Sequence, residues 1–395
     1  MLTAPVLTDP LLLGFVGDLR VDRGDPRGIF ASVSEVLKTP DILFGNLECA
    51  YTDEPRPVPG APAVISSPAR NLDAYFGQGF HVMSLANNHI LDVGAEAMLE
   101  TQRGMRANGI ETCGAGESLA DARKPAIIER GGLKVAYLGY ASIFPIGHEA
   151  GATKPGLVPM RAYNFWREPY AAYHAPGMLP MVATVTDELD LARLAEDIER
   201  ARECADLVVT SFHWGDQTCS FHLTDHETRT ARYCIDRGAH LVVGHHHHEI
   251  RGMEWYRGRP ILYGLGHFVF DLHWEWSETA VQSFSESPIG RHYRRLGYAA
   301  GPRQGWPLLP FPEASRMTLV AWATATREGI SNIGFLPCRL RSDGSVQPLA
   351  CDSSEAQEVI EFLRRCNETQ ELSGKLVASR VQLGGLTTMG VIPST

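Results

Sequence analysis

Several things are scarce in this 395-residue chain, and each scarcity removes a class of function. Positive charge is short: 36 lysines and arginines face 46 aspartates and glutamates, a net charge of −10. A nucleic-acid or anionic-membrane surface needs a basic footprint, which this balance does not supply. The one basic cluster, Arg291-His292-Tyr293-Arg294-Arg295, reads as a solvated loop or as a grip for one anionic group. The eight cysteines never fall at C-x-x-C spacing, so neither a zinc knuckle nor a disulfide framework is expected. No apolar run approaches the roughly 20 residues that span a bilayer. The opening LTAPVLTDPLLLGFVGD has no positive stretch and no small-residue cleavage site. The expectation is a soluble, cytoplasmic protein with no nucleic-acid and no membrane partner. At 44% hydrophobic and 21% charged residues, disorder is not expected, and neither an internal repeat nor a low-complexity segment stands out.

What the chain does have is a rhythm. Short apolar runs break into glycine or polar residues: LLLGFVGD, DILFGNLE, HVMSLANNH, KVAYLGY, DLVVTSFHWGD, HLVVGHHHH and PILYGLGHF. These read as core strands. Helix-like stretches at 28–39, 94–108, 187–205 and 224–237 lie between several of them. Strands alternating with helices predict an α/β sheet whose polar loops gather at one edge, where functional residues collect. Farther on, 316–325, 330–340 and 346–349 read as antiparallel strands, 354–366 as a helix and 375–383 as a last strand.

Two stretches break the rhythm, 142–185 and 272–312. They are rich in Pro, Gly and aromatics, among them Phe144, Tyr163, Phe165, Trp166, Tyr170, Tyr173, Trp274, Trp276 and Trp306. Long loops of this kind serve function or pack as satellite clusters. Aromatic anchors with few charges suit a peptide better than a polyphosphate, so both are read as substrate walls.

The run VVGHHHHEI then poses its own question, which of four consecutive histidines does chemistry. An extended chain past Gly244 alternates its side chains, placing His245 and His247 on one side and His246 and His248 on the other. The other strand ends carry Asp18, Asn46 with Glu48, Asn87-Asn88-His89 with Asp92, His213, and His267 with Asp271. Carboxylate, amide and imidazole groups together suit a divalent cation, and the absence of cysteine among them argues against structural zinc. Cys219, close behind His213, reads as a small buried hydrophobe rather than a nucleophile.

The series GDL, GNLE, SLANNHILDVG, SFHWGD, GHHHHEI and ILYGLGHFVFD, spanning Gly14 to about Asp271, resembles the motifs of the CapA family of poly-γ-glutamate or capsule biosynthesis proteins. That family belongs to the calcineurin-like metallophosphoesterase superfamily. The resemblance implies an α/β two-sheet sandwich flanked by helices, with a metal centre where the sheet edges meet. It implies a single domain with its motif-bearing core at 14–141 and 186–271, the two long loops inserted, and C-terminal strands and a helix at 313–395. It places Asp18, Glu48, Asn88, His213, His245 and His247 at the metal, leaves His246 and His248 off it, and matches His89 to the acid/base histidine. The ion is Ca, Mn, Mg or Zn without distinction.

The departures from the family pattern are informative too. Asp18-Leu19-Arg20 lacks the histidine of the superfamily's Asp-x-His, Asn46-Leu47-Glu48 replaces its Gly-Asp motif, and His267 stands where Asn is usual. A second metal site is weakened, and a further proton carrier is gained. Two acid/base sets can be drawn, His89 with Asp92 and His267 with Asp18 or Asp271. Asp92 as a cap of the helix near Gly94 and His267 as a packed core residue are the alternatives. Two bases beside one ion suit epimerisation at a peptide Cα, as in a peptide-epimerase branch of the family. The competing readings are a hydrolase for a γ-glutamyl amide or phosphoester and a non-catalytic assembly component. The expected partner is a peptide or poly-amino-acid substrate.

Overall fold

In a computed structural model, described for residues 10–59, 64–168, 176, 178, 181–272, 286–295 and 303–394, two sheets pack face to face. The larger has ten strands. Along it, Gly374–Leu383, Leu386–Pro393, Gly329–Leu340, Met317–Thr326, Leu11–Arg20, Ile42–Leu47, Phe80–Ser84 and Glu111–Cys113 follow in order. Six strands form the other, in the order Met253–Tyr256, Arg259–Leu262, Leu241–His245, Leu207–His213, Leu133–Ala141 and Ala126–Arg130.

Residue alternation explains the layering. In Leu241–His245, Leu241 and Val243 join the core between the sheets while Val242 faces the outer helices. Phe15 and Phe44 point inward from the larger sheet, and Val16 and Leu43 outward onto a separate core with Phe30, Tyr75 and Met98. Strands buried on both faces read as continuous apolar runs, which is why they were visible in the sequence. Each such side chain contributes about 1.5–3 kcal/mol on burial.

Helices Ala95–Ala107, Glu188–Cys204, Asp225–Arg237 and Ser354–Thr369 lie within a few residues of the expected spans. Their ends have local causes. Asp187 accepts from the Leu189 and Asp190 amides, a Thr224/Glu227 capping box opens the next helix, and Gly238 closes it in the left-handed region. The expected helix at 28–39 shrinks to Ser34–Leu37, because Gly28 is left-handed (φ 82) and the chain turns before it can coil. The last strand has an unexpected partner. Gly384 and Gly385, both at positive φ, turn Gly374–Leu383 back into Leu386–Pro393. No helix among the described residues is long and apolar enough to cross a membrane.

One handover positions the site. Leu11–Arg20 pairs antiparallel with Met317–Thr326 through Leu11–Phe15, then parallel with His267–Phe270 through Asp18–Arg20. At the switch the Asp18 amide donates to Gly266 O (2.9 Å), and a Cβ on Gly17 would collide with that same carbonyl. Parallel register then aligns Asp18 with Asn46 and Asn46 with Ser84, while His213 aligns with His245 in the second sheet. The polar strand ends of both sheets meet at one edge.

Candidate metal centre

Two groups of ligand atoms crowd at this edge. Glu48, His213 and His246 form one; Asp18, Glu48 and His248 form the other, and in each the donor atoms lie within 4.8 Å of one another. Glu48 belongs to both. Asn88 joins the first group, since its Oδ1 lies 2.7 Å from His213 Nε2. His213 Nε2 also lies 3.1 Å from His246 Nδ1 and 3.6 Å from Glu48 Oε1. Tetrahedral ligands about 2.1 Å from a small divalent ion sit about 3.4 Å apart, so these spacings fit one ion.

Burial makes the case for a cation. Asp18, Glu48 and His267 are fully buried, and His213, His246 and His248 nearly so. Glu48 Oε1 has no hydrogen-bond donor among the described residues. Burial, and then the negative charge of Asp18, raise the Glu48 carboxyl well above its ordinary range. Burial would also raise Asp18, but hydrogen bonds from His245 and His248 hold it well below. Burial keeps His213, His246 and His248 neutral, each pushed below the ordinary imidazole value, and neutral imidazole is the form that ligates. The donor set fits a divalent metal.

The histidine run departs from the expected alternation. The strand ends at His245, and His246 (φ 92) and His248 (φ 58) then both take left-handed conformations. The backbone coils rather than extends, so His246 and His248 converge on Glu48 and Asp18 while His247 is turned away. Its Nε2 donates to Glu227 Oε1 at 2.7 Å instead. The expectation had His247 on the ion and His246 and His248 off it; here His246 and His248 belong to the candidate ligand groups and His247 does not. His245 stays beside Asp18, Nδ1 to Oδ1 3.3 Å, but in neither ligand group.

Glu227 was missed in the sequence reading, where 224–237 read only as a helix. It is fully buried and accepts from the Thr224 amide and hydroxyl, both at 2.7 Å. Burial works against its charge, yet His247 and the Thr224 bonds hold its carboxyl down at about 2. Gly215 closes the pair from above: a Cβ there would lie 2.6 Å from Glu227 Oε1 and closer still to His247 Nε2.

His89 and Asp92 meet as a dyad, His89 Nδ1 donating to Asp92 Oδ2 at 2.7 Å. The Ile65 amide donates to the same oxygen at 2.9 Å. Asp92 does not cap the following helix, which starts after Gly94. Asn88 Nδ2 donates to His89 Nε2 at 3.0 Å, linking the dyad to the ligands through one amide.

The second expected set is arranged differently. Asp271 is held by Arg23 through two 2.6 Å bonds rather than by His267. His267 aligns with Asp18 in register, but its ring packs against both His248 and Phe270, each centroid at 4.3 Å, with Phe311 edge-on at 4.7 Å. Arg20, where the superfamily histidine is missing, turns away to Asp22 (2.7 Å) and Ser66 O (2.9 Å). The Asp18-Glu48-His248 group therefore has one ligand fewer than the other. Asn46 ties the cluster together, donating to Asp18 Oδ1 at 2.8 Å.

Beside the His213 strand end lies a cavity of about 610 Å3. The stretch 142–185 forms one wall through a hairpin, Ala162–Arg167 with Met181–Thr186. Trp274, Trp276, Tyr170 and Tyr173 lie outside the described residues. Trp306 sits under the Arg316 guanidinium, 4.0 Å to its ring. Cys219 is half-buried on the cavity wall, its thiol pushed up by burial and then by Asp216, which leaves it a poor nucleophile.

Comparison with known proteins agrees with this architecture. The model of the bacterial capsule synthesis protein PGA_cap matches residues 13–272. An uncharacterized protein of Sinorhizobium fredii is 29% identical over 320 residues, 68% of this chain and 68% of that protein. The PGA biosynthesis protein CapA of Bacillus subtilis is 28% identical over 276 residues, covering 67% of this chain and 65% of its own. A probable polyglutamine synthesis accessory protein of Mycobacterium tuberculosis is 30% identical over 257 residues, covering 64% and 61%. The aligned part is about two thirds of each of these relatives. With its two-sheet sandwich and a family match running from Leu13 to Leu272, the chain belongs to the bacterial capsule synthesis protein PGA_cap family.

Proposed function

We propose that the chain is a metal-dependent hydrolase acting on an amide bond of a poly-amino-acid chain. The substrate class comes from the names of its relatives, which concern PGA, capsule and polyglutamine synthesis. The observation that carries the reaction class is exposure. The His89 side chain is 13% exposed, against 5% or less for His213, His245, His247 and His248. His89 is thus the cluster histidine best able to meet a substrate. Asp92 fixes its Nδ1–H, which leaves the lone pair on Nε2, at the side of Asn88 and the ligands.

Glu48, His213, His246 and Asn88 would hold one ion, and Asp18, Glu48 and His248 a second, weaker one. A divalent ion supplies activation of water and polarisation of the scissile carbonyl. His89 then takes the proton that water gives up as its oxygen bonds to the carbonyl carbon. As the C–N bond breaks, His89 would return that proton to the leaving nitrogen, and water's second proton passes from the new carboxylic acid to the amine, leaving one carboxylate and one ammonium group. A two-base epimerisation would need His267 on the far face of the substrate, and its stacked, fully buried ring weighs against that role. The test is incubation with poly-γ-glutamate and with uncharged peptides, across a panel of divalent ions. New amino groups that need metal and vanish in His89→Ala are expected. In heavy water, deuterium at Cα without new amino groups would contradict the proposal.

A further inference from the structure

The cavity beside His213 has a chemistry that poly-glutamate does not match. Ser142 and Ile143 of its lining are tied to the end of the His213 strand, because both amides donate to His213 O, at 2.8 and 3.4 Å. Its side wall is one face of the hairpin. Alternation and register put Asn164 opposite Thr184 and Trp166 opposite Val182 on that face. Trp166 is 67% exposed, an indole left without cover. Among Asp, Glu, Lys and Arg, the lining holds only Asp216, whose Oδ1 already accepts from the Thr218 amide and hydroxyl. Among the described lining residues no lysine or arginine is there to meet a carboxylate.

Two buried polar atoms in the walls lack partners among the described residues, Ser142 Oγ and His226 Nε2. The tautomer of His226 follows from its neighbours. Glu227 is an ionised, acceptor-only carboxylate, so the Thr224 hydroxyl must donate to it, at 2.7 Å. Thr224 Oγ1 must then accept from His226 Nδ1, 2.8 Å away. His226 is 5% exposed and burial keeps it neutral, so its Nε2 carries a lone pair. A wall offering one acceptor and one hydroxyl complements the N–H and C=O of a peptide group.

We infer that this cavity binds an uncharged peptide segment, its backbone amide met by His226 Nε2 and Ser142 Oγ and an apolar side chain packed on Trp166 and Val182. This deepens the hydrolase reading by naming its substrate as a peptide with apolar, uncharged residues next to the scissile bond, rather than a run of free carboxylates. A poly-glutamate chain would not be accommodated at this subsite.

The test separates binding from turnover. The full chain, stripped with chelator, is titrated calorimetrically with an N-acetylated, C-amidated Ala-Leu-Phe-Ala peptide and with a γ-glutamate oligomer of equal length. The capped peptide is expected to bind, the oligomer about tenfold more weakly or not at all. Trp166→Ala, at an exposed position that folding does not need, and His226→Phe, which keeps the ring but removes the acceptor, should each weaken the peptide by about tenfold. Alkylation of Cys219 should slow with the peptide present. Failure of the peptide to bind, equal or tighter binding of the oligomer, or unchanged peptide affinity in Trp166→Ala overturns the inference. A chain that cleaves poly-glutamate yet ignores the peptide would sink this subsite and leave the hydrolase standing.

Discussion

His247 and Glu227 form a buried pair, Nε2 to Oε1 2.7 Å, that draws one histidine out of a run whose two neighbours face the metal ligands. The pair ties the loop after Leu241–His245 to the first turn of the helix Asp225–Arg237. Its role is to hold the coil that aims His246 and His248.

Glu227 should make stability depend on acid. Its folded carboxyl, at about 2, lies below the ordinary 4.5, so its contribution is full above pH 4.5 and is lost as pH falls toward 2. A shift of that size corresponds to roughly 3 kcal/mol. Denaturant unfolding of Glu227→Gln should show it less stable than the parent at pH 7, with the gap closing between pH 4.5 and 2. A gap that persists unchanged at pH 2.5 would assign the loss to packing alone.

Gly215 should tolerate no side chain. It sits at φ 87, and a Cβ there would wedge between His247 and Glu227. Gly215→Ala should lower stability by about 2–4 kcal/mol, read as a fall in the unfolding midpoint. Parent-like stability would show that the loop gives way easily and that the pair is not held from above.

Removing the dyad should cost rate and spare metal. His89→Ala should slow amide cleavage by about 10²–10⁴-fold, and Asp92→Asn by less, since it orients the ring without replacing it. Metal content, measured on the same preparations, should stay at the parent level. His267→Phe, which keeps the stack with His248 and Phe270, should slow cleavage far less than His89→Ala. An equal loss in both variants would restore His267 to the chemistry.

Much of the fold was legible because buried parallel strands must be apolar on both faces, and LVVGH or ILFGNL cannot be mistaken for surface. The gathering of Asp18, Glu48, Asn88, His89, Asp92 and His213 at one edge was legible, because regular strands deliver the residues at and just past their ends to a common edge. The histidine run was not, because its geometry rests on two non-glycine residues in the left-handed region. Period-two reasoning holds only while a chain stays extended. The Gly384-Gly385 pair was a hairpin signal left unread, which cost one strand. Glu227 was hidden for another reason: its partner is 20 residues away in sequence and nothing local marks it.

The central claim is that a Glu48-centred site is built by His246 and His248 and not by His247. The most direct test is metal content and affinity across His245→Ala, His246→Ala, His247→Ala, His248→Ala and Glu48→Gln, each dialysed against a limiting divalent ion. Glu48→Gln and His246→Ala should lose the tighter site, and His248→Ala the weaker one. His247→Ala should bind like the parent while melting earlier. Loss of metal in His247→Ala with parent-like binding in both His246→Ala and His248→Ala would contradict the account.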